Sequence, residues 1–216
     1  MDWEQIAARI KVDFEIKNQV REETLKVSRR IIRNASVAIR GVHRGDEAKA
    51  LELMDEAAAD LKKLKEITRD HPEINSAGFL LDAQKEYTEA RTTYALVRGE
   101  GIPDPDELGV EYAPYLNGVG EAVGELRRFI LDIIREDQVE RGDELLAAMD
   151  DIYYLLVSFD YPDAITGGLR RTTDGARAIM ERTRGDLTTA IRQHNLKHAI
   201  SQLEDKITGE KGPLSL

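Results

Sequence analysis

The chain has no cysteine among its 216 residues, so disulfide bonds, thiolate catalysis and zinc sites built on thiolates are all excluded. Long apolar runs are also missing, and no stretch approaches the roughly 18 residues that a membrane span needs. The N-terminal sequence MDWEQIAARIKVDFE is charged and amphipathic rather than typical of a signal peptide. Low-complexity tracts, internal repeats and strand-like alternation are absent as well. We therefore expect a soluble, cytoplasmic protein with no membrane association.

Acidic residues outnumber basic residues by 41 to 31, which gives a formal net charge of −10. This balance argues against indiscriminate binding to nucleic acid, but a global sum hides the local distribution of charge. Between Lys17 and Lys49 the chain carries nine Lys or Arg residues against four acids. This segment is therefore locally basic.

Apolar residues recur at steps of three and four along the chain, which is the period of an amphipathic helix. Clusters of glycine, proline and aspartate predict breaks between helices at 41–45, 70–72, 99–113, 142–143 and 161–162. Asp46 is a candidate N-cap for the second helix. The third helix is predicted over 73–98 and the fourth from about Pro114, while 163–207 is compatible with one helix or two.

This pattern predicts an all-α fold in one domain, residues 1–207, followed by a flexible C-terminal tail, residues 208–216. The predicted apolar stripe of the first helix is Val27, Ile31, Ala35, Ala38 and Val42, and that of the second is Leu51, Met54, Ala58 and Leu61. The fourth helix contains Gly118, Gly120 and Gly124, each of which costs about 1 kcal/mol relative to alanine. These glycines indicate either a close approach by a ligand or another backbone, or tight packing between helices.

Two short phrases contain paired acids: Glu86 and Glu89 in DAQKEYTEAR, and Glu121 and Glu125 in YLNGVGEAVGELRR. Residues three or four apart lie on one face of a helix, so each phrase offers two carboxylates about one turn apart. Two such helices side by side would concentrate negative charge, which is costly unless a hard cation neutralises it. A magnesium site is one interpretation. Solvated helix faces are the alternative, because such spacings arise often in an acidic chain.

Three longer phrases carry a family resemblance. RRIIRNASVAIRGVHRGD resembles the end of the first helix in the translin family, where a GVHxG turn closes the helix. YLNGVGEAVGELRR is similar to the central segment of that family, and LRRTTDGARAIMERTRGDLTTAI is similar to its final helix. The three phrases occur in the family's order, and the resemblance covers roughly residues 17–192.

The catalytic branch of that family, typified by translin-associated factor X, has an EYxEA phrase and an acid four residues before the glutamate of GEL. This chain resembles that branch, in an archaeal-type form built from one kind of subunit. The resemblance implies that Glu86, Glu89, Glu121 and Glu125 are catalytic and that the first three bind Mg²⁺ or Mn²⁺. Glu125 would be a ligand, a base or an orienting group. The family usually has aspartate in place of Glu121, so this longer side chain must retract or shift the metal.

The resemblance further implies a bundle of about six to seven long antiparallel helices, assembled as a homo-octameric shell that encloses RNA. The implied activity is that of a Mg²⁺-dependent endoribonuclease that binds and cleaves single-stranded RNA inside the shell. Magnesium would activate water and neutralise charge on the phosphate. Basic side chains would hold the phosphates without reading sequence, and the candidates are Arg21, Lys26, Arg29, Arg30, Arg33, Arg40, His43, Arg44 and Arg128.

Two alternatives remain open at this level. In the first, the chain is a translin-like module that binds single-stranded RNA or DNA without cutting it, and the acids are solvated. In the second, the basic helix is an interface between subunits and nucleic acid is not involved. Convergence of Glu86, Glu89 and Glu121 on one point would favour the nuclease.

Overall fold

The computed structural model describes residues 2–209, and every regular element within that range is helical. The elements are α1 Trp3–His43, α2 Glu47–Thr68, α3 Pro72–Asn75, α4 Gly78–Arg98, α5 Pro105–Leu108, α6 Tyr112–Ile134, α7 Val139–Val157, α8 Asp163–Thr166 and α9 Leu169–Gly209. Six of these helices are long and three are single turns. The all-α prediction is confirmed. None of the described helices has an apolar stretch long enough to cross a membrane.

Several helix ends follow the signals in the sequence. The side chain of Asp46 accepts a hydrogen bond from the backbone N–H of Lys49 and so caps α2, as expected. Gly99 ends α4 with a positive φ of 79°, a conformation that glycine adopts without steric cost. The helix predicted over 73–98 is divided, because the chain leaves the helical conformation between α3 and α4.

The helix that was predicted to restart at 142–143 is α7, which begins earlier, at Val139. Gly142 lies inside α7 because the helix packs closely there: an added Cβ would lie 2.9 Å from Cδ1 of Leu187 on α9. The glycine therefore marks a helix contact rather than a chain break. After the next turn, the segment that was compatible with one helix or two forms α8 and α9.

The core is formed by a succession of packed helices, in which α1 contacts α2 and α4, α4 contacts α6, and α6 contacts α7 and α9. The predicted stripe of α1 is confirmed, since all five of its residues are buried. The stripe of α2 was wrong at Leu51, which is 38% exposed. Ala50 and Leu53 face the core instead, because the buried stripe of α2 runs through Ala57, Leu61 and Leu64.

Both long terminal helices extend beyond the packed bundle. No residue of α1 before Thr24 is buried, and no described residue of α9 after Leu187 is buried. The exposed apolar side chains on these extensions are Trp3, Ile10, Val12, Phe14, Ile16, Leu196, Ile200 and Leu203. The predicted tail begins within the last two residues of α9, and its remainder, 210–216, lies outside the described residues.

Candidate functional site

The site is positioned by the close approach of α6 to α4 at Gly118. A Cβ added to Gly118 would lie 2.5 Å from the carbonyl oxygen of Lys85 and 2.7 Å from Cβ of Thr88, so no other residue fits without moving a helix. Glu121 follows Gly118 by about one turn, and Lys85 and Thr88 directly precede Glu86 and Glu89. The contact therefore brings the two acidic phrases together.

The three glycines of α6 have different surroundings. Gly118 packs on α4, and a Cβ at Gly120 would lie 2.5 Å from Cγ2 of Thr172 and 3.0 Å from Cδ1 of Leu156, so both positions serve tight helix packing. Gly124 instead lines a cleft, and an added Cβ would lie no closer than 4.0 Å to Ile179. Tight packing between helices therefore accounts for Gly118 and Gly120, and the close approach of a ligand at Gly124 stays a prediction.

Substitutions of these glycines should have opposite effects on stability. We expect Gly118→Ala to destabilise the protein by about 1–3 kcal/mol, because the methyl group would overlap the backbone oxygen of Lys85. Gly124→Ala should be neutral or stabilising by up to about 1 kcal/mol, because the position is open and alanine favours the helix. Chemical denaturation of both variants would measure this. Equal stability of the two variants would contradict the assigned packing.

Three of the predicted acids converge. One carboxylate oxygen from each of Glu86, Glu89 and Glu121 lies within 4.8 Å of the others, and all three residues are partly buried. Burial, together with the charges of Glu86, Glu121 and Glu125, raises the pKa of Glu89 to about 8 against the opposing effect of Lys85. Burial also raises the pKa of Glu86. The cluster is thus a place where negative charge is poorly solvated.

The raised pKa of Glu89 predicts a pH-dependent stability in the absence of metal. Between the ordinary value of 4.5 and about 8, the native protein holds a proton that the unfolded chain releases. Stability should therefore fall as pH rises through this window, on the order of a few kcal/mol at about 1.4 kcal/mol per pKa unit. Denaturation in EDTA at about pH 6 and pH 8.5 would measure it. Glu89→Gln should flatten this slope, whereas Glu100→Gln at an exposed position should not.

Lys85 is a member of the site that the sequence analysis missed. Its Nζ donates a hydrogen bond of 2.8 Å to Oε1 of Glu121 and lies 3.8 Å from Oε1 of Glu86. Burial alone would lower the pKa of this ammonium group, but its hydrogen bond to Glu121 and the nearby acidic charges raise the pKa overall. The only signal in the sequence was its place directly before Glu86.

Glu125 lies beside the cluster and has a different partner. Oε2 of Glu125 and Nε2 of His43 share a hydrogen bond of 2.5 Å, and this bond lowers the pKa of Glu125 despite its partial burial. The side chain of His43 is only 3% exposed. This placement corrects the expectation that His43 contacts nucleic acid, because its ring is enclosed at the end of α1 and bound to Glu125. Arg128 is exposed and lies 3.9 Å from Glu125.

The other basic candidates divide into exposed and paired groups. Lys26, Arg29, Arg33 and Arg40 are exposed and lie within about 60° of one another around α1, on the side opposite its buried stripe. We call these four residues the basic face. Arg44 is also exposed just after the helix. Arg30 is held by Asp60 through two hydrogen bonds, and Arg21 forms an ion pair with Glu22.

A cleft of about 860 Å³ opens next to the acids, between α4, α6 and α9. Glu89, Glu121 and Glu125 line one side of it, together with Lys85. Small residues form part of the remaining wall, and these include Gly78, Ala113, Gly124, Gly167, Gly168, Gly175 and Ala176. The acids therefore lie at the edge of a space that can admit part of a larger molecule.

Arg171 lines the same cleft from α9 and was also missed by the sequence analysis. The hydroxyl of Thr172 donates a hydrogen bond of 2.6 Å to Oδ1 of Asn117, and Nδ2 of Asn117 donates to the carbonyl oxygen of Thr166. These bonds hold the start of α9 against α6 beside Glu121. The phrase LRRTT gave no indication which of its two arginines would line the cleft.

The chemistry of the donor set fits a hard divalent cation. Mg²⁺ and Mn²⁺ are bound by carboxylate oxygens, and three such oxygens converge here without any thiolate or imidazole in the group. The ammonium group of Lys85 already places one positive charge against two of these carboxylates. The position is therefore one at which a cation is stabilised.

The fold and the site together define an all-α protein with a carboxylate cluster beside a cleft. No protein-family model matches the chain. A protein of Methanocaldococcus jannaschii with no assigned function is 32% identical over 196 residues, which cover 90% of this chain and 86% of that protein. The chain belongs to the translin family and is C3PO-like, as the following similarities to solved structures show.

Two solved structures of AfC3PO are similar to the chain in sequence as well as fold. AfC3PO in complex with duplex RNA is 32% identical with a TM-score of 0.80, and the match covers 89% of this chain and 98% of that one. A second AfC3PO structure is 33% identical with a TM-score of 0.79 and the same coverage. The fold is also similar to apo-NeC3PO, with a TM-score of 0.76 at 22% identity over 85% of this chain and 96% of that one.

Proposed function

We propose that this protein is a metal-dependent endoribonuclease that cleaves single-stranded RNA within a homo-oligomer. The observation that carries the proposal is the convergence of Glu86, Glu89 and Glu121 beside the cleft. The similarity to AfC3PO, which was solved with duplex RNA, supports RNA as the ligand. Solvated helix faces would not bring three carboxylates from two helices to one partly buried point.

The residues have distinct roles in this proposal. Glu86, Glu89 and Glu121 would hold Mg²⁺, or Mn²⁺ in its place, which when bound activates water and neutralises charge on the phosphate. Glu125 lines the cleft, and the hydrogen bond from His43 keeps its carboxylate ionised, so Glu125 can accept a proton there. The basic face would bind phosphates of the RNA without reading its sequence.

Arg171 is placed to contact the phosphate next to the acids. It is exposed, lines the cleft, and forms no ion pair with any residue between 2 and 209. We expect Arg171→Ala to reduce kcat/KM for RNA cleavage about tenfold or more, since a charged hydrogen bond to the phosphate would be lost. Arg170→Ala removes the same charge from an exposed neighbour outside the cleft and should leave kcat/KM nearly unchanged. Equal effects of the two substitutions would indicate that Arg171 contributes only a general electrostatic attraction for RNA.

The decisive experiment is a cleavage assay on labelled single-stranded RNA with purified protein, in Mg²⁺ and in excess EDTA. Cleavage that requires the metal supports the proposal. Hydrolysis by water does not use the 2′-hydroxyl as nucleophile, so the products should carry 5′-phosphate and 3′-hydroxyl ends, and a 2′-deoxy nucleotide at the cut site should be tolerated. Tight RNA binding with no cleavage under any divalent cation would leave the binding module as the better interpretation.

A homo-oligomer, which we propose to be an octamer, accounts for the projecting helix ends. The extensions of α1 and α9 expose eight large apolar side chains that the bundle does not cover. Contacts between subunits would bury them and would extend the basic face across several chains. Light scattering should therefore give a mass about eight times the 24.3 kDa of one chain at micromolar concentration. A stable monomer would exclude the shell.

A further inference from the structure

Lys85 occupies the position where the proposed metal site needs positive charge. Its ammonium group contacts Glu121 directly at 2.8 Å and Glu86 at 3.8 Å, so it bridges the two helices that supply the acids. In the described part of the chain, no other Lys or Arg forms an ion pair with Glu86, Glu89 or Glu121. Its side chain is 25% exposed and lines the cleft. Lys85 is thus both inside the cluster and next to open space.

Lys85 alone does not neutralise the charge of the three carboxylates. Three carboxylates within 4.8 Å repel one another, and one ammonium group neutralises only part of that charge. A divalent cation that takes an oxygen from Glu121 would compete with Lys85 for the same carboxylate and would also repel its ammonium group. Lysine carries its charge on a flexible four-carbon stem, so the group can move without any change in the backbone.

The backbone at Lys85 is held in place, while its side chain borders the open space of the cleft. The carbonyl oxygen of Lys85 lies against Gly118, which holds this residue at the contact between α4 and α6. The cleft begins beside the side chain, with Glu89 and Glu121 on the same wall. A side chain released from Glu121 therefore has space in the direction from which a phosphate would approach.

We propose that Lys85 is an exchangeable internal counter-ion, which holds the acidic cluster together without metal, is displaced when a divalent cation binds, and then faces the phosphate in the cleft. This inference rests on the proposed metal site. It assigns Lys85 a role in assembling the site as well as in contacting the substrate.

The test compares Lys85→Met, Lys85→Arg and the wild-type protein by calorimetric titration with Mg²⁺ alone and by thermal denaturation in EDTA and in saturating Mg²⁺. Lys85→Met has no competing charge and should bind Mg²⁺ about tenfold or more tightly than wild type. Lys85→Arg should bind Mg²⁺ more weakly than wild type. A guanidinium group binds a carboxylate through two parallel hydrogen bonds, so a cation displaces it less readily than an ammonium group. Lys62→Met, on an exposed part of α2, should bind Mg²⁺ as wild type does.

Thermal stability is a second readout. The change in Tm of Lys85→Met with and without Mg²⁺ distinguishes displacement of Lys85 from a permanent ion pair. In EDTA, Lys85→Met should lower Tm by about 2–4 °C, since the cluster loses its counter-ion. In saturating Mg²⁺ it should be at least as stable as wild type. Equal destabilisation in both conditions, or equal Mg²⁺ affinity of Lys85→Arg and wild type, would overturn displacement while leaving the metal site intact. Absence of Mg²⁺ binding in wild type and Lys85→Met alike would overturn the metal site and the inference together.

If Lys85→Met does not fold, as judged by circular dichroism, the comparison of Lys85→Arg with wild type still decides the question. Lys85→Arg keeps the positive charge and should retain wild-type stability in EDTA. A lower Mg²⁺ affinity in that variant supports competition for the carboxylates. Unchanged affinity contradicts it.

Discussion

Replacing Glu86 or Glu121 by glutamine is expected to reduce the rate of RNA cleavage by at least about a hundredfold, while the protein stays folded and still binds RNA. The reason is that a divalent cation held by too few carboxylate oxygens is lost or misplaced, and small displacements of a reacting group cost about this much. Cleavage rates in saturating Mg²⁺ and RNA affinity for each variant would measure the effect. Wild-type rates for both variants, or full activity in excess EDTA, would exclude the mechanism.

The two substitutions should differ in their effect on stability without metal. Glu86→Gln removes a carboxylate whose pKa is raised by burial, so we expect it to be neutral or slightly stabilising in EDTA. Glu121→Gln relieves the same repulsion but also loses the charged hydrogen bond from Lys85, and these effects oppose each other. Glu100→Gln, at an exposed position outside the cleft, is the matched control for both activity and stability.

Removing three charges from the basic face is expected to weaken RNA binding about tenfold to a hundredfold near physiological salt, for all RNA sequences alike. The variant Lys26→Ala, Arg29→Ala, Arg33→Ala should also flatten the salt dependence, reducing the slope of log K against log salt by about 2 for a single strand. Arg30 is left out because Asp60 already holds it. Filter binding or fluorescence anisotropy at several salt concentrations would measure both quantities.

The control for that experiment removes three exposed charges elsewhere, with Lys62→Ala, Arg135→Ala and Arg182→Ala in one protein. Both triple variants should fold, since substitutions at exposed positions usually change stability by less than about 0.5 kcal/mol each. Unchanged affinity and slope in the first variant would move the binding site away from α1. That result would favour the interpretation of the basic helix as an interface between subunits.

The sequence predicted those features that depend on local pattern. The apolar stripe of α1 and the capping role of Asp46 follow from helical periodicity and from hydrogen bonding within one turn, and both were confirmed. Family resemblance brought Glu86, Glu89 and Glu121 together as candidates, and the structure places them at one point. Their binding of Mg²⁺ stays a prediction.

Other features depend on how distant helices cross, which periodicity does not specify. His43 and Glu125 are 82 residues apart in sequence, so their contact could not be read from either phrase. Lys85 faces Glu121 only because Gly118 allows α6 to approach the backbone of α4. The error at Leu51 has the same origin, because the neighbours on α1 and α4 determine which side of α2 is covered.

The projecting part of α1 has a consequence for how the protein folds. Before Thr24 this helix has no buried side chain, and most of the stability of helices in proteins comes from the packing of one face against other elements. A newly made subunit would then be only partly ordered, with residues 3–23 fluctuating until another surface covers Trp3, Ile10 and Phe14. Subunit concentration would thus determine the fraction of subunits in which residues 3–23 are helical. The ordering of this segment would be part of the association step.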